Sequence, residues 1–203
     1  MSLSRRVLAV LVDGGLLLCL LSSLGQAQEV IKEEYEIKAG VIRVLGDLVT
    51  WPAEAAPNRE RPLTIGILGR DQFFDNNVNQ LDRTVAAERA KGRILVVRRF
   101  ESAEDYQPCH ILFVSDKPTE KSAERTLPER LAAAKKLAQK GSVLLVADSP
   151  SLASQGVTAN MIFDRSTNLI RLEINPDAAN RAGLKLAPQL LRLSLVQIVR
   201  DAK

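Results

Sequence analysis

The chain has 203 residues, 46% of them hydrophobic, and a formal net charge of +4. That is enough apolar material for one ordinary core, and too small a basic excess for the dense Lys/Arg footprint of a nucleic-acid binder. Only 4% of residues are aromatic, so the stacking platforms of a single-strand binder are missing as well.

The elements follow in chain order. Arg5 and Arg6 precede the apolar stretch "VLAVLVDGGLLLCLLSSL", and "GQA" at 25–27 is a small-x-small cleavage site. This pattern predicts a secretory signal peptide over 1–27, cleaved near Ala27. Asp13, Gly14 and Gly15 break the stretch, and the uninterrupted part at 16–21 is far short of the roughly 20 residues of a membrane span. One exported domain over 28–203 is therefore expected. Cys19 leaves with the leader. Cys109 is then the remaining cysteine, read either as a buried thiol at a strand start or as an intermolecular bridge.

"EYEIKAGVIRVLGDLVTWP" (34–52) predicts an amphipathic helix. Ile37, Val41, Val44, Leu45 and Leu48 form its apolar stripe, Ile42 and Val49 widen it, and Pro52 stops it. After a proline-rich loop, "LTIGILG" (63–69) reads as a buried strand. "DQFFDNNVNQL" reads as a helix, "RILVVRRF" as a second strand and "HILFVS" as a third. "TLPERLAAAKKLAQKG" is a helix with Thr126 as N-cap and Glu129 as capping-box partner. "VLLVAD" is a fourth strand. "ANMIFD" and "LIRLEIN" predict a hairpin with Asn168 in the left-handed turn position. Asn175, Pro176 and Gly183 punctuate a further helix, and "APQLLRLSLVQIV" reads as the last one. The expected fold is α/β and three-layered: a mainly parallel sheet of about six strands with helical crossovers, a C-terminal β-hairpin, and helices on both faces.

No enzymatic constellation emerges from these elements. The phosphate-binding glycine motifs are absent, and no G-x-S-x-G surrounds a serine. A receiver-type phosphoacceptor site would need an acidic pair after the first strand, where "LGRD" stands instead. His110 is the sole histidine, and its neighbour Cys109 would point to the opposite face of a strand. One His and one Cys cannot build a metal site. The expectation is a protein that is not an enzyme, with no cofactor and no metal.

Taken together, these segments resemble one family. Lys38-Ala39 and Trp51-Pro52 of the opening helix, Gly69 and Phe73 after the first strand, and Cys109 leading the third strand are similar to the YfiR-like family. So are "VLLVADSPSLASQG", with Asp148 and Gly156, and the C-terminal run with Asn175, Ala179, Gly183, Leu184, Leu190 and Leu191. The resemblance spans nearly all of the chain after the leader. It implies a small periplasmic regulator that represses a membrane-bound diguanylate cyclase by docking on its sensor domain, with control of cyclic di-GMP and biofilm formation. It also implies dimers and disulfide-dependent behaviour. The family commonly carries further cysteines that pair and a Gly-Gly before the hairpin. This chain has only Cys109 and Gly156 at those places.

The expected partner is thus the periplasmic sensor domain of a membrane protein, with a homodimer as a further possibility, and with neither nucleic acid nor stable membrane insertion. The alternative is a periplasmic small-ligand sensor or solute-binding domain feeding another receptor. Trp51, Pro52, Phe73 and Phe74 are candidate partner-binding residues, because aromatics are enriched in binding hot spots. Gly69, Asp71, Ser115, Asp116 and Asp148 would line a pocket at the strand ends, where open α/β sheets bind ligands. Lys38, Ala39, Cys109, Gly156, Asn175, Gly183, Leu190 and Leu191 are structural motif positions.

Overall fold

In a computed structural model the described residues are 34–75, 78–91 and 93–202. The expected signal peptide lies outside them. The chain divides into 1–34 and a compact unit, Tyr35–Lys203, which is the subject below.

The unit opens with helix α1, which ends at residue 48. Strand β1 (Val49–Thr50) follows, then β2 (Leu63–Leu68), a tight β3 (Phe74–Asp75)/β4 (Val78–Asn79) ladder, α2 (Gln80–Ala90), β5 (Leu95–Phe100) and β6 (Ile111–Val114). The rest is α3 (Leu127–Gly141), β7 (Leu144–Ala147), β8 (Ala159–Asp164), β9 (Leu169–Ile174), α4 (Pro176–Arg181), β10 (Lys185–Leu186), α5 (Pro188–Leu191) and β11 (Val196–Ile198). Seven strands form the main sheet in the order β11-β9-β8-β7-β6-β2-β5. β5, β2, β6, β7 and β8 run parallel, β8 and β9 form the antiparallel hairpin, and β11 lies parallel to β9. Asn168 turns the hairpin at φ 56°.

Alternation along the strands builds two cores. Ile65, Ile67, Ile111, Phe113, Leu144 and Val146 meet Ala39, Ile42 and Leu45 of α1 and Leu81 of α2. Leu68, Leu112, Val114, Leu145 and Ala147 face the other way, onto Leu131, Ala134 and Ala138 of α3. Successive strand residues point to opposite faces, so strands buried on both sides must be apolar throughout, as β6 and β7 are. Helices thus cover both faces of the sheet.

Three sequence expectations are corrected. The stripe of α1 is rotated: Lys38, Ala39, Ile42 and Leu45 are buried, whereas Val44 is 42% exposed. "DQFFDNNVNQL" does not start as a helix. Asp71 accepts from the Phe73 N–H and Asn79 caps α2 through the Asp82 N–H, so short polar side chains compete with the helix until Gln80. The last segment is helical only over Pro188–Leu191, and then becomes an edge strand. Leu172 N–H donates to Leu195 O and Val199 N–H to Ile174 O, so pairing with β9 overrides the helical spacing.

Close packing at Gly66 makes a testable point. A Cβ there would lie 2.7 Å from Phe100 Cε2 and 3.0 Å from Cys109 Sγ. Gly66→Ala should destabilise the protein by about 1–3 kcal/mol, the usual cost of overpacking a core, read as a lower urea midpoint at unchanged slope.

Candidate functional site

The carboxyl ends of β2, β6 and β7 gather the residues expected to line a pocket. Each is held by an internal partner. Lys38, one turn into α1, sends Nζ to Asp148 Oδ2 at 2.7 Å, with both side chains at most 5% exposed. The ammonium also lies 4.6 Å from the centre of the Tyr35 ring, a cation–π contact. Tyr35 donates its hydroxyl to Gln72 Oε1 at 2.7 Å. Gln72 Nε2 reaches Ser115 Oγ at 3.0 Å and Asp116 Oδ1 at 2.6 Å. Asp71 accepts from Asn79 Nδ2 and from Arg99 Nε, each at 2.6 Å, and Arg99 also reaches Asp82.

Beneath this edge the fully buried Arg130 of α3 donates to three main-chain carbonyls, those of Ser115, Glu124 and Asp116. Burial pulls its guanidinium pKa down. Its planar fork suits several fixed acceptors at once. Gly69, at φ 95°, passes where a Cβ would stand 2.7 Å from Lys117 O, so only glycine fits the turn.

The structure therefore brings Asp71, Ser115, Asp116 and Asp148 to one edge and ties them there. Chain reading missed Tyr35, Gln72, Arg99, Arg130 and Asn160. Asn160 Nδ2 donates to Ser149 O and Glu173 Oε2, while its Oδ1 is buried without a partner among the described residues. The signal for Lys38 was present as Lys38-Ala39 and "VAD", but the two motifs are 110 positions apart and nothing local joins them.

The expected docking aromatics do not form one patch. Trp51 is 5% exposed and Phe73 is fully buried. Phe73 packs edge-on against Phe113 and Tyr35 at the carboxyl edge. Trp51 lies past the other end of α1, about 20 Å of helix away, edge-on to His110 at 5.7 Å. Pro52 is half-buried beside it. The side chain of Phe74 lies outside the described residues.

The amino-terminal edge has its own cleft, of about 490 Å³, lined by Trp51, Arg61, Thr64, Arg98, His110 and Ser142 among others. His110 Nδ1 accepts the Thr64 N–H at 3.0 Å, which fixes the neutral ring with its proton on Nε2. Burial lowers the His110 pKa, and its bond to the Ala55 backbone offsets this in part. Cys109 is a free, buried thiol, and burial pushes its pKa up to about 12, so it is a poor nucleophile. The other motif positions are structural in their contacts. Asn175 caps α4 and donates to Ala153 O and Asp201, Gly156 and Gly183 take positive φ, Ala39 and Leu190 are buried, and Leu191 is half-buried.

Two predictions follow from these contacts. Lys38→Met should cost about 3–5 kcal/mol, because it strands a buried carboxylate, and adding Asp148→Asn should restore part of that loss in a double-mutant cycle of urea melts. The second concerns pH. Since the folded pKa of His110 lies below its ordinary 6.5, the unfolded chain takes up the proton first on acidification. Stability from this group is complete above that value and declines as pH falls through it toward the folded pKa. His110→Asn, which keeps an acceptor for Thr64, should flatten that stretch of the Tm-against-pH curve.

No curated protein matches the chain. Among solved structures, a crystal structure of a conserved domain protein from Vibrio cholerae O1 biovar El Tor str. N16961 is similar at 14% identity and a TM-score of 0.49. The similarity covers 83% of this chain and 60% of that one, so this chain spans less than two thirds of the other's length. Residues 35–195 match the YfiR/HmsC-like family. With that much of its length matched, the chain belongs to the YfiR/HmsC-like family.

Proposed function

We propose that the protein is an exported, non-catalytic regulator that represses an inner-membrane diguanylate cyclase by binding its periplasmic sensor domain. Family membership over 35–195 carries this reading. The chemistry of the strand ends supports it. The Lys38, Asp148, Asp71 and Arg99 side chains that a catalyst would turn toward substrate are paired with one another or with their neighbours.

Partner contact belongs on exposed apolar surface rather than on Trp51 or Phe73. Leu169, Leu193, Leu195 and Ile198 are all at least 39% exposed, and they sit at the β9–β11 side of the sheet. Among the described residues β11 is paired only with β9, so its other edge offers main-chain groups to a docking partner.

The test is cellular cyclic di-GMP in the source organism. Wild type is compared with a deletion strain carrying the full chain, a version without residues 2–27, or Leu195→Asp. Deletion should raise the nucleotide, and only the exported, unsubstituted protein should restore it. An unchanged level on deletion would reject the cyclase reading. Full repression by Leu195→Asp would move the contact surface elsewhere.

A further inference from the structure

The cleft at the amino-terminal edge takes no part in the reading above. Its apolar lining comes from Trp51, Ala55, Pro62, Val96 and Pro108. Two cations stand over it. Arg98 Nη1 donates to Pro108 O at 3.1 Å, and Arg61 Nη1 donates to Glu54 O. Both acceptors are neutral carbonyls, and among the described residues neither guanidinium has a carboxylate within ion-pair distance. Each guanidinium carries five N–H donors, so most of them remain unspent.

The Trp51 indole is part of the same wall, with its N–H turned away from the open cleft. Trp51 is 5% exposed, and its indole Nε1–H has no partner among the described residues. Buried donors are nearly always satisfied, and leaving one bare costs free energy. His110 cannot meet it, since its Nδ1 already accepts from Thr64 and its Nε2 carries the proton. Glu54 and Glu60 also line the cleft; they are exposed on its rim, as Arg61 is, so water and salt screen all three. Arg98 is half-buried and less screened.

We propose that this cleft is a binding site for a small organic anion, a carboxylate carried on an apolar ring or short chain. The carboxylate would take the forks of Arg98 and Arg61, for which two parallel N–H···O bonds are the favoured geometry. The apolar body would lie against Trp51, Val96 and Pro108. A volume of about 490 Å³ is in the usual range for small-molecule sites. The proposal rests on the cleft alone and not on the cyclase reading, so either can fail without the other.

Trp51 is the chain's only tryptophan, so its emission reports directly on the site. The experiment titrates purified protein with benzoate, with inorganic phosphate and benzylamine as comparisons. Benzoate should give a saturable change in Trp51 emission, phosphate a weaker one, and benzylamine none. Arg98→Gln should weaken benzoate by about tenfold or more, the worth of a charge-assisted contact. Arg61→Gln, at an exposed position with little to lose in folding, should weaken it in the same direction. Circular dichroism and the urea midpoint of each variant separate lost binding from lost fold. No saturable response to benzoate, an equal response to benzylamine, phosphate binding as tightly as benzoate, or unchanged affinity in folded forms of both variants would overturn the proposal.

Discussion

A buried ion pair fixes how the first helix sits on the sheet. Lys38 enters the core only because Asp148 waits at the end of β7, and Asp148 is tolerated there only because Lys38 arrives. Two charges out of water cost several kcal/mol each unless their geometry is good, so every other rotation of α1 is penalised. That rotation decides which residues touch the sheet. It places Ala39, Ile42 and Leu45 inward, brings Gly46 within reach of Leu63, and carries Tyr35 to Phe73 and Gln72. The polar chain at the strand ends and the packing of the first core are consequences of one contact made across most of the sequence.

This division explains what could be read from residues alone. Strands buried on both faces are legible, because Leu, Ile and Val in short runs have few other uses. Caps are legible, because Thr126, Glu129 and Asn175 act on backbone groups only three positions away. The seventh strand was not legible. "LVQIV" satisfies a helical and a strand pattern equally, and only the open edge of β9 decides between them. The rotation of α1 was hidden for a similar reason. Lysine counts as polar in any periodicity, so a stripe centred on a buried lysine is displaced by about one residue toward Ile37 and Val44.

The candidate sites follow the same rule. Asp71, Ser115, Asp116 and Asp148 share one edge because strand ends are fixed by topology. Their partners were not foreseen, because Gln72, Arg99 and Arg130 are unremarkable residue types until the fold brings them close. Trp51 was expected to face a partner and instead lies in the wall of the amino-terminal cleft. A large aromatic at a helix end suits both roles, and burial against His110 is what distinguishes them here.

The outermost strand has a further meaning for how the molecule is completed. β11 lies parallel to β9, and the residues after it are fastened back onto the fold. Asp201 is bound by Asn175 and Arg181, and the Ala202 N–H donates to Ser154 O. This strap holds the outermost strand against β9. Without β11, β9 would present a bare row of main-chain donors and acceptors, which is a template for pairing with another molecule. The strap thus passes the edge of the sheet from β9 to a strand that is itself tied down by side-chain and main-chain bonds to α4 and to Ser154.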